Sequence, residues 1–205
     1  MSAQTFNGVQ IGGTVSQPKI INQSDKPVIG YAVQRVTTTG LNQVASVVDF
    51  YRLAVGKAIQ PGEEHPLGRF NVVRTASQSQ TVGTPLGYEL RAVLFADGEF
   101  HGPDEIFQDF SGRISAVRSF ALGVLHDENK YQTLAQQVHV QSPNEILQRM
   151  RTATLDMRPF DLDSNVASMI LNIRSKQGEQ EADAAIARLA TLPEVTKGGP
   201  IRNES

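Results

Sequence analysis

Tyr88, Leu90, Ala92 and Leu94 alternate with Glu89 and Arg91, and Val93 and Phe95 then make the second face apolar too. The pattern is that of a strand entering a core. Asp97-Gly98 supplies turn chemistry, and Gly102-Pro103-Asp104-Glu105 opens a helix with its acidic residues at the positive end of the dipole. The chain changes character at this hinge, with strand patterns before it and helical spacing after it.

Before the hinge, Phe6, Val9, Ile11 and Val15 fall among Gly8, Gly12 and Gly13, which predicts a first strand interrupted by glycine and weak in register. Ile20-Ile21-Asn22 leads through Gln23-Ser24-Asp25-Lys26-Pro27 into a β-rich run over 28–37, a hairpin-like unit. Residues 44–55 satisfy either period, and their β-branched and aromatic content favours a strand. Gln60-Pro61-Gly62-Glu63 is a turn, 70–74 a short strand and 76–85 an exposed loop. Short strands separated by turns, with no helical crossover between them, predict a β-sandwich rather than a parallel sheet.

After the hinge, Phe107, Phe110, Ile114, Val117, Ala121 and Val124 mark one helical stripe. Residues 131–138 fit a short helix or an extended segment. Ser142-Pro143-Asn144-Glu145 is a capping box that starts a helix over 143–155. Asp163 or Ser164 can cap another, with Val166, Met169, Ile170 and Ile173 on its face, and the same spacing resumes after Gly178 at Ala182, Ala185, Ile186 and Leu189. The fold class expected is α+β: an antiparallel β-sandwich over 1–102, a helical region over 103–195 packed on or beside it, and a flexible tail over 196–205.

Composition narrows the function classes. Of the 205 residues, 40% are hydrophobic and 20% charged, with a net charge of −2 and no apolar run of membrane-spanning length. Residues 1–102 carry 8 basic and 7 acidic side chains and the remainder 11 and 14, so neither half is a basic surface for nucleic acid. The absence of cysteine excludes disulfides, thiol catalysis and thiolate metal sites. No cofactor motif is present, and the expectation is that none is bound.

Two groups of side chains carry candidate chemistry. His101, Asp104 and Glu105 at the hinge, joined by Glu63 and His65 if folding brings the loops together, have the donor types of a divalent cation site or a general base. The competing account is helix-end electrostatics, which explains acidic residues in a first turn without a ligand. Asp161-Leu162-Asp163-Ser164-Asn165 imitates half of a calcium loop but has Val166 where the glycine belongs, and reads better as a cap.

The run from Ile20 to Tyr31, followed by Gln60-Pro61-Gly62-Glu63 and Leu94-Phe95-Ala96-Asp97-Gly98, resembles immunoglobulin-like β-sandwich domains of bacterial exported proteins over residues 5–102. The resemblance implies an extracytoplasmic or secreted setting if a signal peptide has been removed, and otherwise the chain is cytoplasmic. It brings no catalytic residues with it. The expected function is a non-enzymatic interaction or assembly protein that meets a protein partner or a second copy of itself through sheet edges or the N-terminal strand, where Phe6, Val9 and Ile11 would make the contact. A metal-assisted hydrolase at the hinge and a small-ligand binding protein are the alternatives.

Overall fold

The computed structural model describes residues 5–38, 43–67, 85–138 and 159–198. The strand expected over 70–74, the helix over 143–155 and nearly all of the loop over 76–85 lie outside them. The described chain is mixed α+β, with a strand-rich first part forming two sheets, then helices.

Strands β1 (Val9–Gly13), β2 (Pro18–Asn22) and β5 (Glu64–Pro66) form a three-stranded antiparallel sheet in the order β1-β2-β5. Strands β3 (Val28–Thr37), β4 (Gln43–Val48), β6 (Pro85–Phe95), β7 (Glu99–His101) and β8 (Thr196–Lys197) form the second sheet, ordered β4-β3-β6-β7-β8. Among the described strands only the β7-β8 pairing is parallel. The helices are α1 (Phe50–Ala54), α2 (Asp104–Leu125), α3 (Lys130–Gln137), α4 (Pro159–Gln177) and α5 (Glu179–Ala190).

The hairpin expected from β2 into β3 does not form, because the two strands belong to different sheets. Asn22 explains the corner. Its side chain is fully buried, donating to the carbonyls of Lys26 and Ile59 at 2.9 Å each and accepting from the Ser24 hydroxyl at 2.6 Å. A satisfied buried amide of this kind fixes where the chain leaves one sheet for the other. Asn22→Ala strips the Lys26 and Ile59 carbonyls of this donor, and an unfolding free energy lower by about 2 kcal/mol is expected in urea titrations.

Strand β6 alternates more subtly than the sequence pattern implies. Ala32 pairs with Ala92 but Val33 pairs with Leu90, so Arg91 is an extra residue in a β-bulge. The bulge turns Leu90 to the same face as Val93 and Phe95, in a core with Val9, Ile20, Val28, Tyr31 and Val33. Ala92 and Leu94 face the other way, with Ile29, Phe100 and the helices. The expected single row of Leu90, Ala92 and Leu94 is therefore split between two cores.

Residues 44–55 are also divided. Strand β4 ends at Val48, and the Asp49 carboxylate accepts from the Arg52 amide at 3.0 Å, the N-cap geometry that starts α1. Helix α2 buries Ile106, Phe110, Ile114, Val117, Ala121 and Val124, with Phe107 half-buried beside them. Residues 130–137 are helical, settling the open alternative there. Asp163 and Ser164 lie inside α4 rather than before it, so residues 161–165 are neither a cap nor a calcium loop. Gly178, at φ +95°, is the single residue between α4 and α5. Tyr131 ties the helices together: Arg174 stacks 3.8 Å from its ring centre, and its hydroxyl donates to Asp183 at 2.7 Å. Thr196 and Lys197, expected in a loose tail, form strand β8 against β7.

Candidate functional site

The hinge is built from a tight turn. The Gly98 amide donates to the Phe95 carbonyl at 3.0 Å, and the Asp97 carboxylate accepts from the Glu99 amide at 3.0 Å. Two-residue periodicity then puts Glu99 and His101 on one face of β7 and Phe100 on the other. Glu99 accepts from Lys26 at 2.5 Å through one carboxylate oxygen and meets His101 Nε2 at 2.8 Å through the other. Lys26 also donates to Asp97 at 2.5 Å.

The charges alternate along Asp97, Lys26 and Glu99, and the protonation of these three follows. The Asp97 and Glu99 carboxylates hold Lys26 above its ordinary value. Lys26 in turn holds Glu99 below the usual carboxylate range. Burial pushes Asp97 upward, but its bonds from Lys26 and the Glu99 amide outweigh burial and leave it lowered. His101 is only 8% exposed, its ring edge-on to Phe95 with centroids 5.9 Å apart. A Cβ on Gly198 would come within 2.5 Å of the His101 ring, so the chain after β8 closes directly over it.

The expected hinge donors do not converge. His101 turns to Glu99, Asp104 pairs with Lys197, and Glu105 is exposed in the first turn of α2. Glu63 and His65 do come together, around a cation. The Arg52 guanidinium donates to Glu63 Oε1 at 2.9 Å, to His65 Nδ1 at 2.8 Å and to the Lys57 carbonyl at 2.8 Å. The other Glu63 oxygen accepts from the Gln60 amide at 2.8 Å, closing the expected Pro61-Gly62 turn.

This cluster borders a cleft lined by Tyr31, Asp49, Arg52, Lys57, Ile59 and His65, where the centre of a water-sized molecule has about 20 Å³ to move in. That is room for one water rather than a metabolite. Burial, aided by Asp49, pushes the Tyr31 hydroxyl up to about 12. Burial and then Arg52 hold His65 below its ordinary value, against the opposing pull of Asp49 and Glu63. The Gln60 amide holds Glu63 low despite partial burial, with help from Arg52.

The two clusters lie apart. Tyr31, Val93 and His101 are register partners across β3, β6 and β7, which separates Tyr31 from His101 by two strand spacings, about 10 Å. The His65 ring packs against Tyr31 with centroids 6.4 Å apart. No group of three or more His, Asp or Glu side chains arranged to hold a metal occurs among the described residues. The organising cations, Lys26 and Arg52, were not singled out by the sequence. A capping Asp49 would have placed Arg52 on a helix, whereas nothing local links Lys26 to residues 97–99.

Of the expected assembly residues, Phe6 and Val9 are buried in the core shared by the two sheets, and Ile11 packs half-buried against it. Strand β1 pairs with β2 along its full length. A described sheet edge with exposed apolar surface is β4, where Val44 is 48% exposed. Arg113 of α2 donates to the Ser46 carbonyl at 3.3 Å, so the helices reach the second half of this strand, and among the described residues its first half pairs with β3 alone.

No protein-family model matches the sequence, and neither a curated protein nor a solved structure matches it significantly. No described helix is long and apolar enough to cross a membrane.

Proposed function

We propose that the chain is a non-enzymatic assembly protein that associates with a second copy of itself through the edge of β4. The observation that carries this reading is the edge itself. Gln43-Val44-Ala45-Ser46-Val47-Val48 contains no charge and no proline, pairs on one side only among the described residues, and exposes Val44. Sheet edges are ordinarily guarded by charge, proline or extreme shortness; the opposite edge, β8, has two residues. An antiparallel pairing of β4 with its own copy brings no like charges together, and a twofold axis makes the contact self-complementary.

The proposal takes residues 5–102 as an immunoglobulin-like sandwich of the kind found in exported bacterial proteins, with an extracytoplasmic setting. Its support is the core that Val9 and Ile20 of one sheet share with Val28, Tyr31, Val93 and Phe95 of the other. The alternative of a metal-assisted hydrolase has less behind it, because Arg52 pairs with Glu63 and Lys197 with Asp104, two of the carboxylates that would bind the ion.

Light scattering over a hundredfold concentration range tests the assembly. The wild type is expected to rise above the monomer mass of 22.3 kDa with concentration, and Val44→Lys to stay at 22.3 kDa with an unchanged thermal midpoint. A wild-type mass that remains at 22.3 kDa throughout sinks the proposal.

A further inference from the structure

Among the described residues Arg52 is the one hydrogen-bond partner of the His65 ring, and its chemistry fixes the state of that ring. A guanidinium carries five N–H donors and no acceptor, so His65 Nδ1, 2.8 Å away, must present a lone pair. His65 is therefore neutral, with its proton on Nε2. We propose that the Arg52–His65 bond is a pH-sensitive latch holding α1 against β5, and that it opens when His65 takes up a proton. Protonation replaces the acceptor with a second ring donor and sets two cations in direct contact.

The charged groups around the ring come from every element packed on it. Helix α1 brings Arg52 and the capping Asp49, the turn before β5 brings Glu63, the segment after α1 brings Lys57, and β3 brings the Tyr31 hydroxyl. On β2, Ile20 is opposite His65, while Lys19 pairs with Glu64. Asp49 and Glu63 favour the imidazolium, and burial and Arg52 oppose it more strongly.

Helix α1 lies between two attachments. On one side Arg52 bonds His65 of β5 and Glu63 just before it; on the other, the Ala54 carbonyl accepts from Arg188 of α5 at 2.7 Å, and Arg188 is itself paired with Glu181. Leu53 and Ala54 are buried in the helical core. Opening the latch thus removes the bond from α1 to β5 and leaves Arg52 held by Glu63 alone, while Ala54 stays docked, a local loosening rather than global unfolding.

The sign follows from linkage. Because the folded state binds the proton less readily than the open state, the latch is closed above the ordinary histidine value, about pH 6.5, and weakens as pH falls from there toward the depressed folded value. Glu63 is held below the usual carboxylate range, so it stays charged across the interval from pH 7.5 to 5.5.

Hydrogen exchange of the full chain at pH 7.5 and 5.5, corrected for intrinsic rates, tests this at the Leu53, Val55 and Lys57 amides, which bond back to Asp49, Tyr51 and Arg52. Wild-type protection is expected to fall several-fold at pH 5.5, with a ceiling of about tenfold because that pH is about one unit below the ordinary histidine value. His65→Asn puts a non-titrating carbonyl oxygen near the position of Nδ1 and is expected to abolish the pH dependence; His65→Gln serves the same purpose if the Asn variant does not fold. Unchanged wild-type protection between the two pH values, or an equal fall in a folded His65 variant, overturns the latch.

Discussion

Alanine at position 98 is expected to lower the unfolding free energy by about 2–5 kcal/mol, combining a left-handed backbone with a collision. Gly98 has φ +91°, and a Cβ built on it would lie 2.2 Å from the Glu194 carbonyl oxygen. Both partners are main chain, so no side chain can swing aside to relieve the contact. The segment after α5 has to move, and with it the bond from the Thr196 amide to the Gly98 carbonyl, 2.9 Å in the native chain. Gly62→Ala separates the two contributions, because Gly62 has φ +80° with nothing within 4 Å of its missing Cβ. That variant carries the backbone strain alone, about 1 kcal/mol. Urea titrations of both decide the matter: equal losses would mean that the Glu194 contact contributes nothing.

Phe110→Ala is expected to cost about 3–5 kcal/mol, the range for deleting a fully buried aromatic ring. Phe110 meets Phe100 edge-on at 5.8 Å, and Phe100 meets Phe107 at 5.5 Å, so three rings lock α2 to β7. The cavity opens beneath the strand that carries Glu99 and His101 on its other face. The nuclear magnetic resonance signal of His101, which meets Glu99 and Phe95, should therefore shift in this variant. Phe107→Ala, at a half-buried position, should cost less than half as much. If the two variants prove equally stable in denaturant, the ring cluster is not what fastens helix to sheet.

Local chemistry was the legible part of the sequence. The α2 stripe is nearly the buried set observed, displaced at its start from Phe107 to Ile106, because three- and four-residue spacing is intrinsic to a helix. The turns at Pro61-Gly62 and Asp97-Gly98 follow from residues with few other backbone options. What failed needed knowledge of partners. A bulge at Arg91 is defined by the register of β3 against β6, so alternation within β6 alone cannot reveal it. The separation of β2 from β3 depends on an Asn22 side chain reaching the Ile59 carbonyl, a contact spanning 37 positions. The candidate clusters were half legible: Glu63 and His65 do share a neighbourhood, but the cation between them comes from a helix whose capping Asp49 was read as part of a strand.

Strand β8 also has a consequence for the order of events during synthesis. Its partner β7 leaves the ribosome about 100 residues earlier, and pairing contacts so far apart in sequence are slow to form because the loop must close first. Until residues 194–198 emerge, Glu99 and His101 lack their cover and the Gly98 carbonyl lacks its donor. The nascent chain therefore passes through an interval in which one border of its larger sheet is unfinished, and chaperone capture or premature pairing with a neighbouring nascent chain would act in that interval.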